Sequence, residues 1–209
     1  SVLTGVLGYS TTSSELHHAA GEKLSALLET RKDALENYFE VIAEDLRVQS
    51  RNPTILEALD NLSSTWHDYT GNRQNYFQRY YITDNPFPVG EKEKLNSADD
   101  GSAYSQEHLK FHPVFRSLRE ERGYYDIFLF DHHGDLVYTV VKEKDYATNL
   151  VDGLWYETNL GRAFRAVRDA QGDPRQFFFD FESYGPSNGD PASFIATGLF
   201  DDVGAFVGV

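Results

Sequence analysis

A long run without proline, from Ser13 to Ser50, constrains the fold of this chain more than any other feature of its sequence. The run contains one glycine, Gly21, and apolar residues recur at heptad spacing at Leu28, Leu35 and Ile42. This periodicity predicts an amphipathic helix that would be roughly 55 Å long at about 1.5 Å per residue. A helix of that length typically spans a domain or forms the seam of a dimer. The alternative is two ordinary helices that meet near Gly21.

The rest of the chain is predicted to form shorter helices followed by strands. Asn52-Pro53 supplies an N-cap and a first-turn proline for the next helix. An apolar period of 3.6 predicts helices at 53–67, 70–82, 102–121 and 157–169, whereas 83–101 has the composition of a loop. A period of two predicts strands at 124–130, 136–141, 177–184, 193–199 and 203–209. The predicted fold class is therefore α+β, with a five-stranded antiparallel sheet behind the helical segment.

Charge and composition exclude several partners and chemistries. The net charge is −14, with 19 basic and 33 acidic residues, so no basic surface is expected to bind nucleic acid. The absence of cysteine excludes disulfides and thiolate chemistry. The chain has no methionine, and we expect it to be a piece of a longer protein. Its apolar start, Ser1–Tyr9, is interpreted either as the outer end of a membrane helix or as a frayed terminus.

Three segments of the chain resemble a known family. The segment YYDIFLFDHHGDLVYTVVKEKDYATNL (124–150) looks like the opening hairpin of a Cache, or extracytoplasmic PAS-like, sensor module. DGLWYETNLGRAFR (152–165) and DFESYGPSNGDPASFIATGLF (180–200) resemble its following segments. The resemblance is closest to sensor regions of bacterial methyl-accepting chemotaxis receptors, and sensor kinases and transmembrane cyclases carry similar modules. It implies a Cache module at 102–209 with a PAS-like sheet, preceded by a helical region at 1–101.

Catalytic and metal-binding motifs are weak in this sequence. His108 and His112 have a spacing that can chelate a metal on a helix, but no third ligand is evident. We interpret them as histidines packed on aromatic rings or as partners of buried acids, and His132-His133 as solvated turn residues. Asp131 does not begin a calcium loop, because the twelfth residue from it is Lys142 rather than glutamate. No catalytic residue, metal or cofactor is predicted.

Polar residues inside or just after the predicted strands are the basis of the candidate binding site, since buried charges need partners or a ligand. We expect Asp180 to pair opposite Ile195, which would place one polar and aromatic face of the sheet against a pocket. Residues 142–156, including Trp155, would roof this pocket. The candidate ligand-binding residues are Asp126, Phe128, Tyr138, Lys142, Asp145, Trp155, Asp180, Tyr184 and Ser193. Alternatively, these groups pair with one another in a filled core or face water.

The ligand is predicted to be a short carboxylate held by Lys142 together with Tyr138 or Ser193. Amino-acid-binding members of the resembled family carry arginine two residues before a Trp-Tyr pair. Here Gly153 stands two residues before Trp155, so an amino-acid ligand is disfavoured.

The resemblance and the candidate site together predict a ligand-sensing extracytoplasmic domain of a bacterial transmembrane receptor. Among such receptors, they favour a chemoreceptor. It would be the periplasmic or extracellular part of an inner-membrane protein, flanked by membrane helices and dimerised through its N-terminal helix. A ligand would act by shifting the population of conformations. Two alternatives stay open, namely a secreted metal-dependent or acid/base hydrolase and a ligand-free module that acts through a partner protein.

Overall fold

One continuous helix, α1, covers Val2–Gln49, which confirms the long helix predicted over residues 13–50. Gly21 does not interrupt it. Several apolar residues of the predicted stripe are exposed, with exposed fractions of 58% for Leu24, 62% for Leu28 and 54% for Leu35. The helix therefore presents to solvent the apolar surface that the heptad-like spacing predicts.

The structure is a computed structural model that describes residues 2–170, 172–173 and 175–209, and the side chains of these apart from residues 2–14 and 16. The expectation that Ser1–Tyr9 is the outer end of a membrane helix concerns residues whose side chains the structure does not describe.

The chain forms two compact units, Ser1–Asp45 and Leu46–Val209. The predicted boundary between a helical region and a sensor module, at residues 101 and 102, stays a prediction. In the part of the chain that is described, no helix combines the length and apolar character needed to cross a bilayer.

The described residues of the second unit form four further α-helices, and each corresponds to a predicted one. They are α2 (Pro53–Asp68), α3 (Arg73–Gln78), α4 (Ala103–Arg122) and α5 (Asn159–Asp169). A π-helical turn at Arg79–Thr83 extends α3. The predicted cap of α2 is confirmed, because the Asn52 side chain accepts a hydrogen bond from the Thr54 N–H at 3.0 Å. Gly123, with φ 71°, ends α4 in the left-handed conformation that glycine favours.

The prediction of one five-stranded antiparallel sheet is wrong. The described residues form three two-stranded antiparallel sheets, β1 with β2, β3 with β4 and β5 with β6. The strands are β1 (Phe128–Phe130), β2 (Leu136–Thr139), β3 (Phe177–Ser183), β4 (Pro191–Ala196), β5 (Leu199–Phe200) and β6 (Phe206–Gly208). Mutual backbone hydrogen bonds between Phe130 and Val209, at 2.9 and 3.0 Å, connect the end of β1 to the end of the chain without making a continuous sheet.

The backbone pairing of β1 with β2 ends beside the Asp126 carboxylate. Asp126 Oδ1 accepts hydrogen bonds from the backbone N–H groups of Val140 at 2.9 Å and Val141 at 3.1 Å. The Val140 N–H also donates to the Ile127 carbonyl at 3.2 Å, so the pairing reaches this residue and ends beyond it. Lys142 then adopts φ 63°, a left-handed conformation that no regular strand contains.

The register predicted for the second hairpin is also wrong. Ile195 pairs with Phe178 instead of Asp180, and the pairing shifts between Phe179 and Glu182. Such a shift is a β-bulge or irregularity, which disrupts the ladder locally. Asp180 lies inside this segment and is exposed.

Two clusters of buried side chains form the core of the second unit. The first is rich in aromatic rings and contains Trp66 stacked on Phe77 with ring centroids 4.3 Å apart. The second contains Phe130, Leu136 and Phe164 beneath β3 and β4. The β1–β2 hairpin contributes to both clusters, with Leu129 and Tyr138 in the first and Phe130 and Leu136 in the second, so it packs in two different surroundings.

Candidate functional site

Lys142 is the centre of a buried polar cluster at the open end of the β1–β2 hairpin. Its side chain folds back so that the ammonium donates a hydrogen bond to the Thr139 carbonyl. The residue is only 3% exposed. Burying a charge in this way is unfavourable unless neighbouring groups compensate it.

Aromatic rings supply part of that compensation. The Lys142 Nζ lies 4.3 Å from the ring centroid of Tyr138, 5.1 Å from that of Tyr146 and 5.8 Å from that of Tyr81. The faces of such rings attract a cation. Burial nevertheless lowers the pKa of Lys142, and the negative charge of Asp126 opposes that shift.

Asp126 connects the members of the cluster. Besides the two backbone N–H groups of the hairpin, its Oδ2 accepts a hydrogen bond from the Thr139 hydroxyl. Burial raises the pKa of Asp126, and the hydrogen bonds it accepts oppose the shift. The pKa values of Asp145 and Tyr184 are raised mainly by burial, and the negative charge of Asp126 adds a smaller increase to each. We call Asp126, Tyr138, Lys142, Asp145 and Tyr184 the lysine cluster.

Asp145 is completely buried. Its Oδ2 accepts a hydrogen bond from the Tyr184 hydroxyl at 2.5 Å. Among the described residues, no other residue donates to its Oδ1. Burial is the largest cause that raises the pKa of Asp145 to about 7, and the bond from Tyr184 opposes it. A carboxyl group in this setting is easily protonated near neutral pH.

The histidine pair of α4 borders the same cluster, and His112 is fully engaged by protein groups, whereas His108 Nε2 has no hydrogen-bond partner among the described residues. The His112 Nε2 lies 2.6 Å from the Glu93 carbonyl oxygen, and its Nδ1 lies 2.7 Å from the Tyr138 hydroxyl. A neutral ring therefore donates through Nε2 and accepts through Nδ1. Burial, followed by the charge of Lys142, lowers the pKa of His112 to about 3 and lowers that of His108 strongly. Both nitrogens of His112 are used by protein groups, which leaves it poorly placed to bind a metal.

The other predicted ligand-binding residues lie outside the lysine cluster. Phe128 is in β1, with its ring centroid 6.1 Å from that of Phe194 in the second core cluster. Trp155 donates from Nε1 to the Lys144 carbonyl at 3.3 Å. Asp180 is exposed, and Ser193 is half-buried in β4. The structure thus brings Asp126, Tyr138, Lys142, Asp145 and Tyr184 together, but not these four.

A second group of polar side chains lies at the turn of the same hairpin. His67 Nε2 is 2.7 Å from Asp131 Oδ2, and Asp135 lies beside them. The group adjoins a cavity of about 580 Å³. The sequence interpretation assigned no role to His67, because nothing in the sequence connects it with a turn 64 residues further along the chain. The two carboxylates Asp131 and Asp135, closely spaced in the DHHGD turn, were the part of this polar group that the sequence could have indicated.

Comparison with known proteins adds no identification. No family model matches the chain, and neither a curated protein nor a solved structure matches it. The resemblance to Cache sensor modules therefore stays a prediction from the three quoted segments.

Proposed function

We propose that this chain is the ligand-sensing extracytoplasmic domain of a bacterial transmembrane receptor, a chemoreceptor in the first instance, and that it binds a short carboxylate at Lys142. The observation that carries the proposal is the buried ammonium of Lys142, which has one hydrogen-bonded protein acceptor, the Thr139 carbonyl, among the described residues. The resemblance of residues 124–150 to the opening hairpin of a Cache module supports the same role.

The chemistry of the lysine cluster favours a carboxylate. A lysine ammonium has three donors, so two remain after the bond to Thr139. Charge-assisted hydrogen bonds from an ammonium to a carboxylate are among the stronger ones in proteins. Burial raises the pKa of Asp126 and of Asp145, and their protonation would reduce the repulsion of an anionic ligand.

Ligand entry requires a conformational change, because Lys142 is almost completely buried. In the proposed mechanism, a minor open state exposes the ammonium and the ligand selects it. The measured affinity is then reduced by the small population of the open state. A ligand that binds only this state shifts the equilibrium towards it, which is the signal.

Transmission of the signal is proposed to involve a homodimer formed through α1, with flanking membrane helices in the full-length receptor. Leu24, Leu28 and Leu35 are all more than half exposed on α1, and a second copy of this helix would cover such a stripe. Sedimentation equilibrium over a range of protein concentrations tests the dimer. Replacing Leu28 and Leu35 by glutamate should lower the measured mass to that of the monomer. A wild-type chain that is monomeric at the highest concentration would contradict this part of the proposal.

The ligand proposal is tested by calorimetry and thermal shift with a panel of short mono-, di- and tricarboxylates, amino acids and amines. We expect at least one carboxylate to bind, and Lys142→Met to weaken it by about tenfold or more. Lys144→Met is the matched control, because Lys144 is exposed two residues away and bonds to Asn188. Binding of amines alone would refute the carboxylate class. Binding of nothing would favour the ligand-free module.

A further inference from the structure

We propose that His67, Asp131 and Asp135 form a binding site for a divalent transition-metal ion of the Zn²⁺ type. The three residues each offer one ligand atom, and these atoms lie within 4.8 Å of one another. This site is separate from the lysine cluster and does not depend on the proposed sensor role.

The three ligands come from two elements that are distant in sequence. His67 lies in the last turn of α2, and Asp131 and Asp135 flank the turn between β1 and β2. The 2.7 Å separation of His67 Nε2 and Asp131 Oδ2 is that of a direct hydrogen bond, and it would open to about 3.3–3.6 Å around a tetrahedral ion whose metal–ligand bonds are about 2.0–2.2 Å long. A metal would replace this direct hydrogen bond and join the helix to the hairpin.

Hydrogen bonds within the turn already orient the two carboxylates. Asp131 Oδ1 accepts from the backbone N–H groups of His133 at 2.9 Å and Asp135 at 3.0 Å, which leaves Oδ2 directed at His67. Asp135 Oδ1 accepts from Asn149 Nδ2 at 2.8 Å. Partners of this kind fix ligand orientation in metal sites and contribute to their affinity.

The burial of Asp131 also calls for a cation. Its side chain is 2% exposed, and the partner that could carry a positive charge is His67, through the bond at Oδ2. A buried carboxylate is costly unless it is paired or coordinates a metal. The ordinary explanation is a His67–Asp131 ion pair without a metal, and the experiment below separates the two.

The adjoining cavity is acidic and open to solvent. Asp60, Asp201 and Asp202 line it together with His67 and Asp131, and none of its described lining residues is lysine or arginine. We call this cavity the acidic pocket. A cleft lined by one sign of charge concentrates counter-ions. It also leaves room for water or a ligand oxygen to complete the coordination of an ion held by three protein groups.

The mixture of ligand types selects the class of metal. One imidazole with two carboxylates suits zinc and its first-row neighbours. Calcium and magnesium are hard ions that prefer sites built from oxygen atoms alone. We therefore expect Zn²⁺ to bind more tightly than either.

Zinc binding is measured on the full chain after treatment with a chelator, by equilibrium dialysis with elemental analysis and by competition with a zinc-binding dye. His17→Gln and His18→Gln are introduced throughout, because this exposed pair on α1 is a background site. We expect about one zinc per chain, a loss of affinity of about 100-fold or more for His67→Gln and Asp135→Asn, and a loss of about tenfold for Asn149→Ala. Asp202→Asn is the matched control inside the acidic pocket and should change the affinity by less than about threefold.

Far-UV circular dichroism of the metal-free variants establishes that each is folded. The proposal is overturned if the parent chain takes up no zinc at micromolar concentrations, or if folded His67→Gln and Asp135→Asn bind it as the parent does. Zinc that is lost in His108→Gln and retained in His67→Gln also overturns it, because that result places the metal at the α4 histidines. A chain that binds Ca²⁺ or Mg²⁺ more tightly than Zn²⁺ refutes the assigned class.

Discussion

The two ends of the β1–β2 hairpin carry polar clusters that differ in what surrounds them. At the open end, Asp126 and Lys142 belong to the lysine cluster, which is enclosed by aromatic rings. At the turn, Asp131 is also buried, but its partner His67 is about one-third exposed and both residues line the acidic pocket. A buried charge is costly at both ends, but the pair at the turn borders a cavity that solvent ions can enter.

This difference predicts that stability depends on the lysine cluster and cation binding on the acidic pocket. Substitutions in the cluster should destabilise the fold, since each leaves a buried polar group without a partner. Substitutions at the pocket should change zinc affinity with small effects on folding. The following variants test the comparison, in order of decreasing expected effect.

The largest effect is expected for Asp126→Ala. The change removes the acceptor for Thr139, Val140 and Val141 and leaves the Lys142 ammonium buried without its negative neighbour. We expect the free energy of unfolding in urea at neutral pH to fall by about 3–5 kcal/mol. Asp180→Ala is the control and should change it by about 0.5 kcal/mol or less, since Asp180 is exposed. A cost below about 1 kcal/mol for Asp126→Ala would show that the stability of the fold does not depend on Asp126 as the partner of the buried groups in the lysine cluster.

The next effect is a change in pH dependence in Asp145→Asn. The pKa of Asp145 is raised from 3.8 to about 7 in the folded chain, so the folded state binds more protons than the unfolded state between these values. Its contribution to stability is present at low pH and is lost as pH rises from about 4 to 7. Relative to the wild type, Asp145→Asn should gain of order 3 kcal/mol between pH 4 and pH 8.

The measurement for Asp145→Asn is a series of urea denaturation curves for both chains over this pH range. His112 has a lowered pKa and produces the opposite slope in both chains, so the difference between the curves isolates Asp145. Parallel curves for the two chains would contradict the assigned pKa.

A smaller effect is expected for Tyr184→Phe. The variant loses the hydroxyl that donates to Asp145 Oδ2 and leaves that buried carboxyl without a donor from another side chain. We expect a loss of about 1–3 kcal/mol in the free energy of unfolding at pH 8. Tyr125→Phe removes a hydroxyl of a 60% exposed residue, which donates to Glu143, and should have almost no effect. Equal losses of unfolding free energy in Tyr184→Phe and Tyr125→Phe would contradict the expectation that the buried hydroxyl contributes more to stability than the exposed one.

The smallest effect on folding is expected for His67→Gln in the presence of a chelator. His67 is about one-third exposed and its partner is Asp131. The glutamine amide can still donate to the buried Asp131, so the free energy of unfolding should fall by only about 0.5–1 kcal/mol, measured by urea denaturation at neutral pH. A loss as large as that of Asp126→Ala would mean that the acidic pocket is a structural ion pair rather than a site open to cations.

The helices could be predicted from sequence, whereas the sheet could not. Helical hydrogen bonds connect residues four apart, so the spacing of Leu28 and Leu35 and the cap at Asn52 carry the necessary information. Strand pairing depends on partners far along the chain. The bulge after Phe179 shifts the register of β3 with β4, and Val140 and Val141 donate to Asp126 where the pairing of β1 with β2 ends. Neither feature follows from local periodicity.

The candidate site shows the same division. The sequence indicated Asp126 within a predicted strand, and Lys142 and Asp145 just after the next one, because a charge beside apolar strand residues needs a partner wherever the strand lies. The same reasoning failed for Asp180, because the face of β3 that carries Phe178 and Asp180 is exposed. His67 carried no signal, since its proximity to Asp131 exists only after α2 packs beside the hairpin.

The sequence by itself determined where the helices lie and which buried charges require explanation, since both follow from local periodicity and from the cost of removing charge from water. Only the tertiary structure decided that the strands form three short sheets and that Lys142 is enclosed by tyrosine rings. It also decided that His67 meets Asp131 across 64 residues. Such contacts depend on how distant segments pack, and packing is a property of the whole chain rather than of any stretch within it.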